Sequence, residues 1–158
     1  AGFTYSENKI ASFTEYVDNF DNYDENGNMI QDVISHTDAD MAFSPNVIGN
    51  AGFTYRPFDG LSLNWMTKYV GDQFLDNTSN QDRKIDAFTY SNVSLNYTIE
   101  DLLFKSITLG VQCNNILDAK YENNGYTWGF IAGGQRTVEN FYYPQAGRNF
   151  MFRLLIQM

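Results

Sequence analysis

Histidine, cysteine and proline are almost missing from this 158-residue chain, which holds 1 His, 1 Cys and 3 Pro. A single Cys113 excludes an intrachain disulfide and any cysteine-based metal site. With His36 as the sole imidazole, and no motif setting a reactive Ser or Cys beside it, a nucleophile–His pair has no basis, so no enzymatic role is expected. Basic residues are also scarce: 10 Lys and Arg face 19 Asp and Glu, for a net charge of -9. Nucleic acid is thereby excluded as a partner, because phosphate binding needs concentrated cationic charge. No apolar run approaches the roughly 18 residues that signal a spanning helix, and no basic start with an apolar stretch opens the chain at Ala1. An exported chain without its signal is expected to be mature or truncated material.

What the chain does hold is aromatic: 13 Phe and 11 Tyr lift the aromatic share to 16%, with Asn, Asp, Gly, Ser and Thr between them. Aromatic and β-branched side chains fit a pleated surface, and Asn, Asp and Gly accept turn geometry. The apolar period is two. Leu61, Leu63, Trp65, Thr67 and Tyr69 alternate with Ser62, Asn64, Met66 and Lys68; Val93, Leu95, Tyr97 and Ile99 with Ser94, Asn96 and Thr98. The same holds for Ile107, Leu109, Val111 and Cys113, and for Phe150, Phe152, Leu154, Ile156 and Met158. Residues 1–17 and 46–57 supply two further strands; AGFTY occurs in both, at Ala1 and Ala51, as convergence rather than repeat. Phe88 and Tyr90 break parity with Val93, and a bulge near Ser91 would reconcile them.

The expected fold is all-β, an antiparallel up-and-down meander of about six long strands. Connections alternate: a long polar loop over 18–45, a tight turn at Pro57 to Gly60, a loop over 72–84, a short turn over 100–105 and a long loop over 122–143. Long external loops and short periplasmic turns are the rhythm of outer-membrane barrels. Strands of about ten residues suit tilted crossing of hydrocarbon, whereas soluble strands average nearer six. Tyr69, Tyr97, Tyr121, Tyr142 and Tyr143 stand near strand ends, where interfacial rings are favoured. A soluble, carbohydrate-binding-like β-sandwich is the alternative, since half-buried antiparallel strands alternate in the same way.

The C-terminal third reads GVQCNNILDAKYENNGY over 110–126 and YYPQAGRNFMFRLLIQM over 142–158. It resembles the TonB-dependent outer-membrane receptors, whose penultimate barrel strand runs into N-[IL]-[FL]-[DN]-x-x-Y and whose last strand follows a Tyr-Pro and a Gly-Arg. Asn115, Asp118, Tyr121, Pro144, Gly147 and Arg148 take those positions, and DMAFSPNVIGNAGFTYRPFDGLSLNWMTKYVGDQFLDNT extends the likeness upstream. Asn115 and Asp118 suit backbone bonding at a break in alternation, Tyr121 an outer aromatic girdle, and Pro144 and Gly147 the entry of the final strand.

The resemblance implies that residues 1–158 are the C-terminal segment of a large transmembrane barrel of about 22 strands, whose plug and earlier strands lie outside this sequence. It implies a place in the cell outer membrane and TonB-dependent uptake of a scarce nutrient such as a ferric siderophore, haem or cobalamin. The FYYPQAGRNF ending is nearer the siderophore or cobalamin branch than the glycan-importing one. Outer-membrane lipid, the TonB system acting through the plug, the nutrient and the barrel assembly machinery are the implied partners. For the assembly machinery, Met158 stands where a terminal Phe is usual. No cofactor is implied. In the predicted loop over 122–143, Tyr126, Trp128, Arg136 and Tyr142 are the candidate ligand contacts, by stacking and charge-assisted hydrogen bonds. NYDENGNMIQDV over 22–33 partly resembles a Ca²⁺ loop through Asp24, Asn26 and Gly27, but Asn22 and Val33 occupy ligand positions, so no metal site is expected; His36 is expected in a loop.

Overall fold

The computed structural model describes residues 1–101 and 103–158. Its strands are β1 Gly2–Tyr5, β2 Lys9–Asn19, β3 Asp32–Asp40, β4 Val47–Tyr55, β5 Leu61–Val70, β6 Gln73–Phe74, β7 Lys84–Ile85, β8 Phe88–Glu100, β9 Ser106–Asn114, β10 Glu122–Ala132, β11 Gln135–Pro144 and β12 Asn149–Gln157. Six form one antiparallel sheet in the order β1-β4-β5-β8-β9-β12. That order follows the chain, so the numbers skipped are excursions from a meander and not crossovers. The tight turn before Leu61 uses Gly60 at φ +81°, where an added Cβ would collide with the Thr98 carbonyl oxygen. The short turn over 100–105 joins β8 to β9, with Leu102 outside the described residues.

Period-two alternation gives the sheet two unlike faces. On one, Thr54, Asn64, Ser94 and Gln112 lie side by side across four strands. Thr54 donates to Asn64 at 2.7 Å, and Asn64 to Ser94 at 3.3 Å. In the next row Arg153 reaches over Gly110 to Asn96, with Nη2 2.9 Å from Oδ1. On the other face Leu95, Val111 and Phe152 make one row and Tyr97, Leu109 and Leu154 the next. These side chains are exposed, Phe152 to 80%. A water-soluble sandwich would cover such a face with a second sheet; no described element does.

Phe88 and Tyr90 need no bulge. Pairing between β5 and β8 is unbroken from Leu61 opposite Tyr97 to Val70 opposite Phe88, which leaves both rings on the polar face. There they stack on Tyr121, at centroid distances of 4.6 and 5.5 Å. Tyr121 is therefore not in an outer girdle: the chain breaks alternation after Asn114 and brings its ring back to the polar side. Tyr69 and Tyr97 stay on the apolar face, exposed.

The long connections are largely strand. Residues 1–17 do not form one strand: the chain leaves the main sheet at Ser6–Asn8, and β2 turns to pair with β3, which contains His36. Residues 122–143 form the β10–β11 hairpin, closed by Gly133 and Gly134 at φ +61° and +71°. Two positive φ values make a type I′ turn, whose twist suits a two-residue hairpin. The hairpins meet in a second sheet, β11-β10-β2-β3, through parallel pairing of β10 with β2. One face of it covers the connection over 72–87, and the core lies between them: Val17, Leu75, Ile85, Gln73 and Arg83 are all buried.

Candidate functional site

Two regions gather the residues singled out from the sequence. The first is a knot where the chain passes from β9 to β10 and from β11 to β12. Asn115 takes positive φ, +49°, tolerable for Asn, and is buried. Its side-chain oxygen accepts from Ala119 N at 2.9 Å, while its amide donates to the carbonyls of Ala119 at 2.9 Å and Ala146 at 3.3 Å. Asp118 accepts from Arg148 N at 2.8 Å, and Arg148 Nη1 donates to the Ile116 carbonyl at 3.4 Å. Gly147 leaves room beside them: a Cβ there would stand 2.7 Å from the Asp118 carboxylate and oblige it to shift. Pro144 closes β11 opposite Glu122, where its missing N–H removes little ladder. These motif residues thus tie the connection from β9 to β10 to the connection from β11 to β12.

Replacing Asn115 with Ala would leave the Ala119 and Ala146 groups without their partner and put Ala at positive φ, an expected loss of about 2 kcal/mol. Thermal unfolding of the protein checks this. Asn115→Gly is expected to recover only the backbone part, because it restores the conformation and none of the bonds.

The second region is the four-stranded sheet. Of the four candidate ligand contacts, the register sets Tyr126 and Trp128 on one face and Arg136 and Tyr142 on the other. Tyr126 stacks on Phe141 at 4.9 Å and lies 6.2 Å from Tyr143, and Trp128 meets Phe130 at 4.9 Å, which meets Phe20 at 5.8 Å. That face is an exposed aromatic row, with Trp128 46% exposed. The other two side chains are engaged: Tyr142 donates to the Lys84 carbonyl at 2.9 Å and Arg136 to Glu15 at 2.5 Å.

Glu15 is the residue that motif reading missed. Its Oε1 accepts from Arg83 at 2.8 Å as well as from Arg136, and its Oε2 lies 3.0 Å from His36 Nε2. Arg83 bonds Asp76 in turn at 2.5 Å, with only 4% of its side chain exposed. Burial pushes the Glu15 carboxyl up, but Arg83, His36 and Arg136 outweigh it and hold it below its ordinary range. A lone acid between Thr14 and Tyr16 in an aromatic strand was the only signal, and its arginine partners are 68 and 121 residues away.

In the stretch resembling a Ca²⁺ loop, Asp24 is committed to its own turn. Its oxygens accept from Asn26 N, Asn28 N and the Asn28 side chain at 2.8, 2.8 and 2.9 Å. The Asn28 side chain and backbone hold its carboxyl below the usual range. Among the described residues no three His, Cys, Asp or Glu side chains are grouped to hold a metal ion.

The family model described as TonB dependent receptor-like, beta-barrel matches residues 1–116. Among solved structures, the chain is similar to the ferric citrate transporter FecA in its unliganded crystal form, with a TM-score of 0.54 and 17% identity. The match covers 76% of this chain and 18% of that one. At that identity the likeness is one of fold, and this chain spans less than a fifth of the transporter's length.

Proposed function

Because the chain belongs to the TonB-dependent receptor β-barrel family, we propose that it is the C-terminal part of an outer-membrane receptor that imports a scarce nutrient. Its six-stranded sheet is the wall segment. The observation that carries this is the pairing of a hydrogen-bonded polar face with an exposed apolar one. Lipid offers no hydrogen-bond partner, so the apolar face meets hydrocarbon and the polar face the lumen. The plug, and the TonB system that acts on it, belong to the rest of the receptor, and the alternating ends of β12 address the barrel assembly machinery. The role is transport and not catalysis.

The nutrient is a chelate of the ferric siderophore, haem or cobalamin kind; the similar transporter's ferric citrate belongs to the same chemical range. Tyr126 and Trp128 offer exposed rings for it, whereas Arg136 and Tyr142 hold the hairpin in place. Deletion of the full-length gene should abolish growth on one ferric chelate, haem or cobalamin as sole source; normal growth and uptake on all of them would overturn the reading. In the complemented strain Trp128→Ala is expected to raise the half-saturating nutrient concentration about tenfold, the loss of one stacking contact. An unchanged value would move the ligand contacts elsewhere.

A further inference from the structure

We propose that the connections over 6–46, 72–87 and 122–144 form one rigid cap that moves as a single body, with Glu15 as its central counter-charge and Asp21 as the clasp at its tip. The observations are independent of what the receptor carries. At the tip, the Asp21 carboxylate accepts from Gly133 N at 2.8 Å and Gly134 N at 2.7 Å. Those two N–H groups are available because a type I′ turn of two glycines turns them outward, and backbone donors to a carboxylate make strong bonds. Just below, Phe20 N donates to the Ile131 carbonyl at 2.8 Å, continuing the parallel pairing of Asp18 with Phe130.

At the base, Glu15 of β2 takes Arg136 from β11 and Arg83 from the 72–87 connection on one oxygen and His36 of β3 on the other. One carboxylate therefore joins all three connections. Asn140 and Tyr142 of β11 donate to the carbonyls of Asp82 and Lys84, at 2.6 and 2.9 Å. From the other hairpin, Phe43 N donates to the Phe74 carbonyl at 3.0 Å and Ala42 N to Asn77 at 2.7 Å. Loops that moved separately would have to break this set at several places at once.

Hydrogen exchange of the full-length receptor in detergent, read by mass spectrometry without any nutrient, tests it. Asp21→Asn is expected to speed exchange about tenfold across 131–136, in the hairpin that does not carry the substitution, as the bonds to a charged acceptor weaken. Asp24→Asn, in the same hairpin tip but bonded only to its own turn, should change 22–30 alone. Glu15→Gln approaches from the base and should release 76–84 and 131–138 together. If Asp21→Asn and Glu15→Gln each change only the connection that carries them, the single-body cap is wrong. Peptides over 62–70 and 92–98 report whether the wall is intact, and because no uptake is measured, a failed transport assignment leaves this result standing.

Discussion

Glu15→Ala is expected to destabilise the cap by about 3 kcal/mol, the cost of removing one partner from a buried ion pair. Arg83 is the reason. Its guanidinium is enclosed between the four-stranded sheet and the 72–87 connection, its Nε has no partner among the described residues, and without Glu15 only Asp76 would balance it. Arg136 would lose its carboxylate at the same time. Local unfolding of the hairpins, followed by limited proteolysis of the intact receptor, should become at least tenfold faster; unchanged cleavage would show the cluster to be dispensable. The same group sets a pH dependence. The folded-state pKa of Glu15 lies below its ordinary value of 4.5, so its contribution is fully present above about that pH and is lost as pH falls through the lower folded value. Glu15→Gln should flatten the acid limb of cap stability.

The second large effect is on the wall. Arg at Leu109 or Val111 is expected to cost about 2 to 4 kcal/mol, whereas Arg at Thr108 or Gln112 costs little. Leu109 is 51% exposed and flanked by Tyr97 and Leu154, so an arginine there would stand among exposed apolar side chains, the face that the proposed function turns to lipid. Gln112 lies on the same face as Ser94, Asn96 and Arg153, where a charge finds polar partners and water. Because a soluble sandwich would also penalise Leu109→Arg, labelling carries the decision. Single cysteines introduced at 109 and 111 in the full-length Cys113→Ser receptor should react with a lipid-soluble reagent and resist a water-soluble one. Equal reaction with the water-soluble reagent on both faces would refute the assignment.

The wall was legible in the sequence because its signal is local. Alternation around Leu61–Tyr69, Val93–Ile99 and Ile107–Cys113 reports the face of each strand residue by residue, and the short turns after Tyr55 and Glu100 fix two of the strand pairings. The hairpins were hidden for a related reason. Asp, Asn and Gly crowd 18–32, so composition read as loop, although Tyr126, Trp128 and Phe130 already alternate up to the Gly133-Gly134 pair, a recognised two-residue hairpin signal. Tyr121 and Arg136 were misplaced because their partners, Phe88 and Tyr90 for one and Glu15 for the other, are distant in sequence. The motif around Asn115 and Asp118 stands at the break in alternation, but its bonds to Ala146 and Arg148 join segments about 30 residues apart that no local pattern connects.

The clasp between Asp21 and Gly133 spans 112 residues, and the strand partners it secures are equally far apart in the chain. Closing so long a segment is slow, since its entropy must be lost before any contact compensates. β2 is made about a hundred residues before β10, and the edge it will offer to β10 stays open until the final third of this sequence exists. An unpaired strand edge is a template for wrong pairing. The two turn glycines and the acid that caps them therefore act late in folding: until residues 122–134 are in place, the β2 edge that they secure is open to wrong pairing.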